Sequence, residues 1–513
     1  MSKKLLFNRH SIAEEVIDPN YNYYKFQING KQTLSLALHT GGDDTEWDGI
    51  TYWGDGSADS SHRHIYTKAG TYTVKTKYMI NEVDDDKYDN ANARNYLVEC
   101  ININRNITSM RKLFMNCKYI FSLDLSYFDT SNITDMSYVF FGCNYLWNPN
   151  ISTWDTSKVT NMSYMFSGIY GMMDGTLDIS HFDTSNVTDM SGMFYDCKSL
   201  KSINLSSFNT SKVTNMRNMF SGCEKLSSLN VSHFVTDKVT DMLGMFSGCP
   251  VSSLSVSRWN VSNVTNMAGM FSGCSVYSLD LSSWRTPKLE HVYEMFDGCG
   301  GLLTLKLSNF DISNVTDDWG TMAMFRGCKR LTELDLSSFN TRNITNMYAM
   351  FADCESLIKL NISSFRTNNA INMSCMFINC YKLESLDLSS FNTSRVTDMA
   401  NMFCMCRSLK SLDVSNFDTS NVTDMFGMFQ VCPLTILNLS SFNTKNVTDM
   451  RGMFYNCAEL SSLNLSNFYV TKEHEEMFYY TRALDVKKVI MTNCNETTKQ
   501  LLTKMINEKY RGE

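Results

Sequence analysis

The chain has 513 residues and a mass of 58.7 kDa, long enough for three or four compact domains or for one repeating array. Hydrophobic residues at 43% can build a continuous core, while 19% charged residues and only 5 prolines exclude a disordered or collagen-like chain. With 46 basic against 53 acidic side chains, a net charge of −7 and no Lys/Arg-rich block, backbone-driven nucleic-acid binding is excluded, and no apolar run approaches the roughly 18 to 20 residues that a bilayer span needs.

Residues 1–20 read as a polar leader with a short helix from Ser11 to Ile17. Met1-Ser-Lys-Lys-Leu-Leu-Phe7 opens like an export signal, but the apolar run stops at Phe7, so no signal peptide is read. Residues 21–100 hold Trp47, Ile50-Thr-Tyr52-Trp53-Gly54-Asp55-Gly56 and His64-Ile-Tyr66-Thr-Lys-Ala-Gly70-Thr-Tyr72-Thr-Val74-Lys-Thr-Lys-Tyr78. Alternating β-branched and aromatic residues punctuated by turn residues predict a small antiparallel β-sandwich, a domain of its own. Gly54-Asp55-Gly56 reads as a turn; no P-loop lysine or following helix makes it a phosphate cradle.

Residues 101–480 repeat. The phenylalanines Phe114, Phe140, Phe166, Phe194, Phe220, Phe246, Phe271, Phe296, Phe325, Phe351, Phe377, Phe403, Phe429, Phe454 and Phe478 mark fifteen copies with a mean period of 26 residues. Such a period predicts a solenoid. Within one copy, Val213, Met216, Met219 and Phe220 fall at i, i+3, i+6 and i+7, predicting a short helix capped by Thr214 and ended by Gly222. Leu226-x-x-Leu229-x-Val231 then reads as a short strand. The expected fold is an α/β repeat, a leucine-rich-repeat-like solenoid with a parallel sheet backed by short helices. Residues 481–513 read as a cap, with a strand at Val486 to Met491 and a helix from near Glu496 whose Leu501, Leu502 and Met505 share a face.

The repeat Phe-Asn-Thr-Ser-x-Val-Thr-x-Met-x-x-Met-Phe-x-x-Cys-x-x-Leu-x-x-Leu, present from Phe208 through Cys223 to Val231, resembles the BspA-like leucine-rich-repeat surface proteins of the DUF285, mycoplasma-lipoprotein type. The resemblance covers about three quarters of the chain. Trp53-Gly54-Asp55-Gly56, His64-x-Tyr66 and Gly70-x-Tyr72-x-Val74 resemble a PKD-type immunoglobulin-like domain. Both resemblances imply adhesion or display outside a cell, with the solenoid as binding surface. Proteins of that kind carry an export signal or a lipid-anchoring cysteine, and here the first cysteine is Cys100. Two routes account for this: a trimmed N-terminus on a bacterial surface protein, or a phage virion component released by lysis.

Thirteen cysteines recur on the repeat, at Cys117, Cys143, Cys197, Cys223, Cys249, Cys274, Cys299, Cys328, Cys354, Cys380, Cys406, Cys432 and Cys457. Stacking gives their side chains parallel directions, which disfavours bridging, and the expected role is a column of buried free thiols. An Asp/Asn column between the strand leucines (Asp178, Asn204, Asn230, Asp280, Asp335, Asn361) substitutes Asn too freely for calcium, and no metal or cofactor is expected. Asn-x-Thr sequons such as Asn186-Val-Thr188 and Asn446-Val-Thr448 are by-products of the repeat. No histidine recurs beside a nucleophile, so the chain is not expected to be an enzyme.

Irregular copies mark specificity on a solenoid face. The copy at Ser167-Gly-Ile-Tyr170-Gly-Met-Met-Asp174 lacks the column cysteine, and the one at Asp317-Asp318-Trp319 is three residues long of period. Candidate ligand-binding aromatics are Tyr138, Trp147, Tyr164, Tyr170, Trp319 and Tyr348, whereas Trp259 and Trp284 replace core phenylalanines. The expected partner is a cell-surface glycan or protein receptor, with virion proteins at the N-terminal region. The expected function is non-catalytic receptor binding. A structural or decoration role on a phage particle is the alternative, and a surface-acting hydrolase the third reading.

Overall fold

The computed structural model describes residues 21–28, 32–35, 38–39, 50–61, 63–76, 79–80, 97–102, 108–118, 120, 122–126, 128–172, 174–470 and 473–508. The leader and its expected helix lie outside them. The chain forms two compact units, 1–187 and 188–513.

The first unit opens with a small antiparallel sheet. Asn22–Ile28 pairs on one side with Gly70–Thr76 and on the other with Leu97–Asn102. Leu97–Asn102 also pairs in parallel with Ser122–Asp124, which pairs with Asn148–Asn150, so the antiparallel sheet runs directly into the first solenoid strands. Of the Trp-Gly-Asp-Gly segment only Trp53 enters the small sheet's core, and Gly54, Asp55 and Gly56 form an exposed turn. Trp53 is fully buried, stacks on His64 at 5.1 Å, and its carbonyl accepts the Tyr66 hydroxyl at 2.7 Å. Gly54 sits at φ +81, and a Cβ there would lie 2.5 Å from the Thr73 carbonyl, so the turn tolerates no side chain.

In the second unit the copies form a parallel β-solenoid with very short strands and little helix. Ser278–Asp280 pairs in register with Thr304–Lys306, and Glu333–Asp335 with Lys359–Asn361, each one period apart. The central leucine points inward and its neighbours outward: Leu279 is 1% exposed, while Ser278 and Asp280 face solvent. The regular coil counts about 12 turns, slightly fewer than the fifteen copies read from the sequence, although all fifteen column phenylalanines are buried.

The helix expected at Val213 to Phe220 is not a helix, and this is the main correction to the sequence reading. Alternate N–H groups point to the next coil: Met216 donates to the Asp241 carbonyl at 2.9 Å, Asn218 to Leu243 at 2.7 Å and Phe220 to Met245 at 2.9 Å. The intervening ones close four-residue turns, Met219 onto Met216 at 3.3 Å and Ser221 onto Asn218 at 3.1 Å. The result is a ribbon of overlapping turns in which every second turn has a left-handed third residue, as at Asn218 with φ 53 and Gly222 with φ 73. Such turns bury residues three apart just as a helix does, which is why the spacing misleads. Thr214 is therefore not a cap; its N–H donates to the Thr188 carbonyl of the preceding coil.

Two aromatic columns fill the coil. The Met-Phe column stacks ring on ring, as Phe351, Phe377 and Phe403 do at 5.5 and 5.7 Å. The second column is Phe with Trp259 and Trp284 substituting, stacked 6.4 Å apart with each indole N–H donating to a carbonyl. Between columns, a buried threonine brackets successive coils. The Thr367 hydroxyl donates to the Asn392 carbonyl at 2.7 Å and accepts the Asn392 N–H at 2.8 Å. The sixteen cysteines whose side chains are described are free, and all but Cys375 are buried. Column thiols donate to a carbonyl of the preceding coil, Cys406 to Phe377 at 3.2 Å for example, and burial pushes Cys249 and Cys354 up to about 12. A helix, Glu496–Asn507, closes the second unit, with Asn495 as its N-cap and Thr498, Leu502 and Ile506 buried.

Candidate functional site

The repeat-variable positions of the turn ribbon form an outward strip, and most of its polar groups serve the fold. The ladder residue of each ribbon folds its carboxylate or amide oxygen over the N–H two residues on, as Asn215 does with Arg217 at 3.0 Å. The Asp/Asn column beside the strands behaves alike: Asp280 accepts the Ser282 N–H at 3.1 Å and hydroxyl at 2.5 Å. Hydrogen bonds from Ser282, then Lys306, hold its carboxyl down to about 2. Among the described residues no three His, Cys, Asp or Glu side chains converge on a point. The sequon asparagines Asn421 and Asn446 also work internally, their amides donating to carbonyls of the preceding coil at 2.7 Å.

In the ladder of the second unit, parallel bridges run from Asp189 to His291 and again from Asn346 to Glu473. Between these runs lies the irregular copy. In an ordinary coil Met216 donates 25 residues on, to Asp241; across this copy Glu294 donates 28 residues on, to Met322 at 2.9 Å. The three extra residues form a bulge before Thr321, which resumes the ladder by donating to the Asn346 carbonyl at 3.0 Å. Gly320, at φ +51, makes the bulge possible: a Cβ there would stand 2.5 Å from the Asn346 carbonyl oxygen. The Asp317 carboxylate holds the Gly320 N–H at 2.6 Å and pairs with His291 Nδ1.

The bulge lifts Trp319 to the surface, 54% exposed, with its ring against Tyr293. On these two ribbons Arg326 grips Asp297 through two bonds, Nε at 2.7 Å and Nη2 at 2.5 Å, with Glu294 at 3.9 Å. The pair with Asp297 raises the Arg326 pKa, and Tyr348 is close enough to add to that effect. Burial first, then Asp317 and Glu294, raises Tyr293 above an ordinary phenol. The structure thus brings Trp319 to Tyr293, which the sequence reading did not single out, while Tyr348 lies near Arg326 and is half-buried.

The other four predicted aromatics lie in the first unit and do not form one site. Tyr138 and Tyr164 stack on neighbouring ribbons at 5.0 Å, with Phe141 against both, and are half-buried. Trp147 and Tyr170 are exposed at 42% and 41%, as is Tyr145 at 49%. Tyr170 donates its N–H to the Asn144 carbonyl at 2.9 Å.

The repeats match the family described as Mycoplasma protein of unknown function, DUF285, over residues 108–229, 223–322, 302–411 and 382–491. The chain belongs to this family. The bulged copy at Trp319 falls inside the DUF285 array, covered by two of the matched segments. A comparison with curated proteins finds none that matches. No helix among the described residues is long and apolar enough to cross a membrane.

Proposed function

We propose that this DUF285 protein is a non-catalytic adhesion or receptor-binding protein that presents the Trp319 strip of its solenoid to a cell-surface glycan or protein, from a bacterial surface or a phage virion. The observation that carries the reading is the bulge. It interrupts the parallel ladder and adds residues that the stack does not need, and its yield is an exposed tryptophan with its ring against a tyrosine. Tryptophan, tyrosine and arginine are the side chains that dominate binding energy at interfaces, and aromatic faces also stack on sugars. The N-terminal sheet, with its PKD-like Trp-Gly-Asp-Gly motif, joins the solenoid to its carrier, whether cell wall or virion proteins.

A glycan array and a cell-binding assay with wild-type protein and Trp319→Ala test this. Binding that Trp319→Ala removes while the thermal unfolding curve stays unchanged supports the reading. Absence of binding to any glycan or cell overturns it in favour of a structural spacer. Hydrolysis of a glycan, ester or peptide, abolished by a single substitution, overturns the non-catalytic part.

A further inference from the structure

Five coils beyond the bulge, about 24 Å along the same ribbon at strand spacing, the second unit carries a groove of about 520 Å³. Phe426, Arg451 and Glu475 occupy one position of three successive ribbons, and Gln430 and Tyr455 another position on two of them. Gly452 lies between these rows, so no side chain fills the groove floor. Phe426 is 37% exposed and Tyr455 half-buried, giving the groove two aromatic walls.

Its charge is unlike that of the rest of the ladder. From Asp189 to His291 acidic rungs alternate with Asn and end on His, whereas Asp398, Asp424, Asp449 and Glu473 are four carboxylates on consecutive rungs. Arg451 neutralises part of this, bonding Asp449 at 2.5 Å with Glu473 at 3.5 Å, and lays its guanidinium 5.6 Å over the Phe426 ring. Glu475 and Glu476 are exposed and, among the described residues, make no ion pair within 4 Å, although Glu475 is near enough to Arg451 to help raise its pKa. Burial, with repulsion from Asp398 and Asp449 behind it, raises the Asp424 pKa, which agrees with a local surplus of negative charge.

An anionic ligand is repelled here, and a neutral sugar gains nothing from the surplus charge. A cation on a slender apolar stem gains from both walls and carboxylates, in the way Arg451 already lies between Phe426 and Asp449. We propose that the groove binds a lysine or arginine side chain presented by a polypeptide partner, with Phe426 and Tyr455 flanking the stem and Glu475 and Glu476 taking the charge. This contact is separate from the Trp319 bulge and stands whether or not that bulge binds a receptor.

The test uses the full chain and an acetylated, amidated, fluorescent pentapeptide carrying two arginines, read by anisotropy. Saturable binding is expected, weakened about tenfold by the double change Glu475→Gln/Glu476→Gln and clearly by Tyr455→Ala, and untouched by Trp319→Ala. Because both glutamates are exposed, the double variant retains the wild-type unfolding curve. A control of equal net charge, Glu333→Gln/Glu355→Gln on other surfaces of the same unit, leaves binding intact. The proposal is overturned if the control weakens binding as much as the double variant, or if a peptide with glutamine in place of arginine binds as well. It is equally overturned if the arginine peptide fails to bind, including when a neutral oligosaccharide occupies the groove instead.

Discussion

Trp319 and Tyr293 lie one nominal period apart, with ring centroids at 5.7 Å and planes inclined by 40°, yet they do not occupy equivalent positions of their coils. Tyr293 belongs to a regular ribbon, and Trp319 to the bulge that shifts the next one by three residues. Their contact exists because the repeat is broken, and it buries little of Trp319. Trp319→Ala should therefore lower receptor affinity by about tenfold or more, in the range of interface hot spots. Surface plasmon resonance against the bound cell or glycan measures it. The melting temperature should stay within about a degree of wild type, since exposed substitutions rarely exceed about 0.5 kcal/mol.

Gly320→Ala should act by the opposite route. Its left-handed backbone alone costs a side chain about 1 kcal/mol or more, and the Asn346 carbonyl blocks the Cβ directly. Urea unfolding should show a loss of at least that size, and receptor affinity should fall with it because the bulge that carries Trp319 is displaced.

Thr367→Val is nearly isosteric but removes a hydroxyl that both donates to and accepts from Asn392. It leaves a part-buried N–H and a part-buried carbonyl of Asn392 without this partner, at a cost of about 1 kcal/mol. Serine at the same position should recover most of this. Hydrogen exchange at the Asn392 amide, read by mass spectrometry of the covering peptide, should accelerate in the valine variant alone.

Asp55 gives a pH dependence with a defined sign. Burial would raise its pKa, but hydrogen bonds from Ser57 and then His64 overcome this and hold the carboxyl down to about 2, below its ordinary value of 3.8. A folded-state pKa below the unfolded one means that the stabilisation is present above about pH 4 and is lost as pH falls towards 2. Asp55→Asn should thus be less stable than wild type at about pH 5, and the gap should close at about pH 2. Thermal unfolding of both proteins across this range checks it.

Much of this arrangement is legible in the sequence because stacking dictates it. The 26-residue period, the phenylalanine column, the free thiols and the tryptophans at 259 and 284 all follow from one demand, that each coil cover the next. The ribbon of turns is less legible, since its burial at Val213, Met216, Met219 and Phe220 matches a helix. A usable signal was nonetheless present: Gly192, Asn218, Gly244 and Gly269 recur two places after the first methionine, at the spot where the backbone turns left-handed. Tyr293 escaped notice because its own copy is regular, and only the following bulge brings Trp319 to it. The groove at Tyr455 depends on which variable residues coincide on neighbouring coils, and a single copy read alone carries no trace of it.

The thiols that close each coil also make the molecule self-reporting. From Cys223 to Cys457 the column thiols are buried and burial raises their pKa, so an alkylating reagent can reach one only when its coil parts from its neighbour. Pulse labelling followed by peptide mapping would then read breathing coil by coil along the array, and would locate the weakest joint without the introduction of a probe.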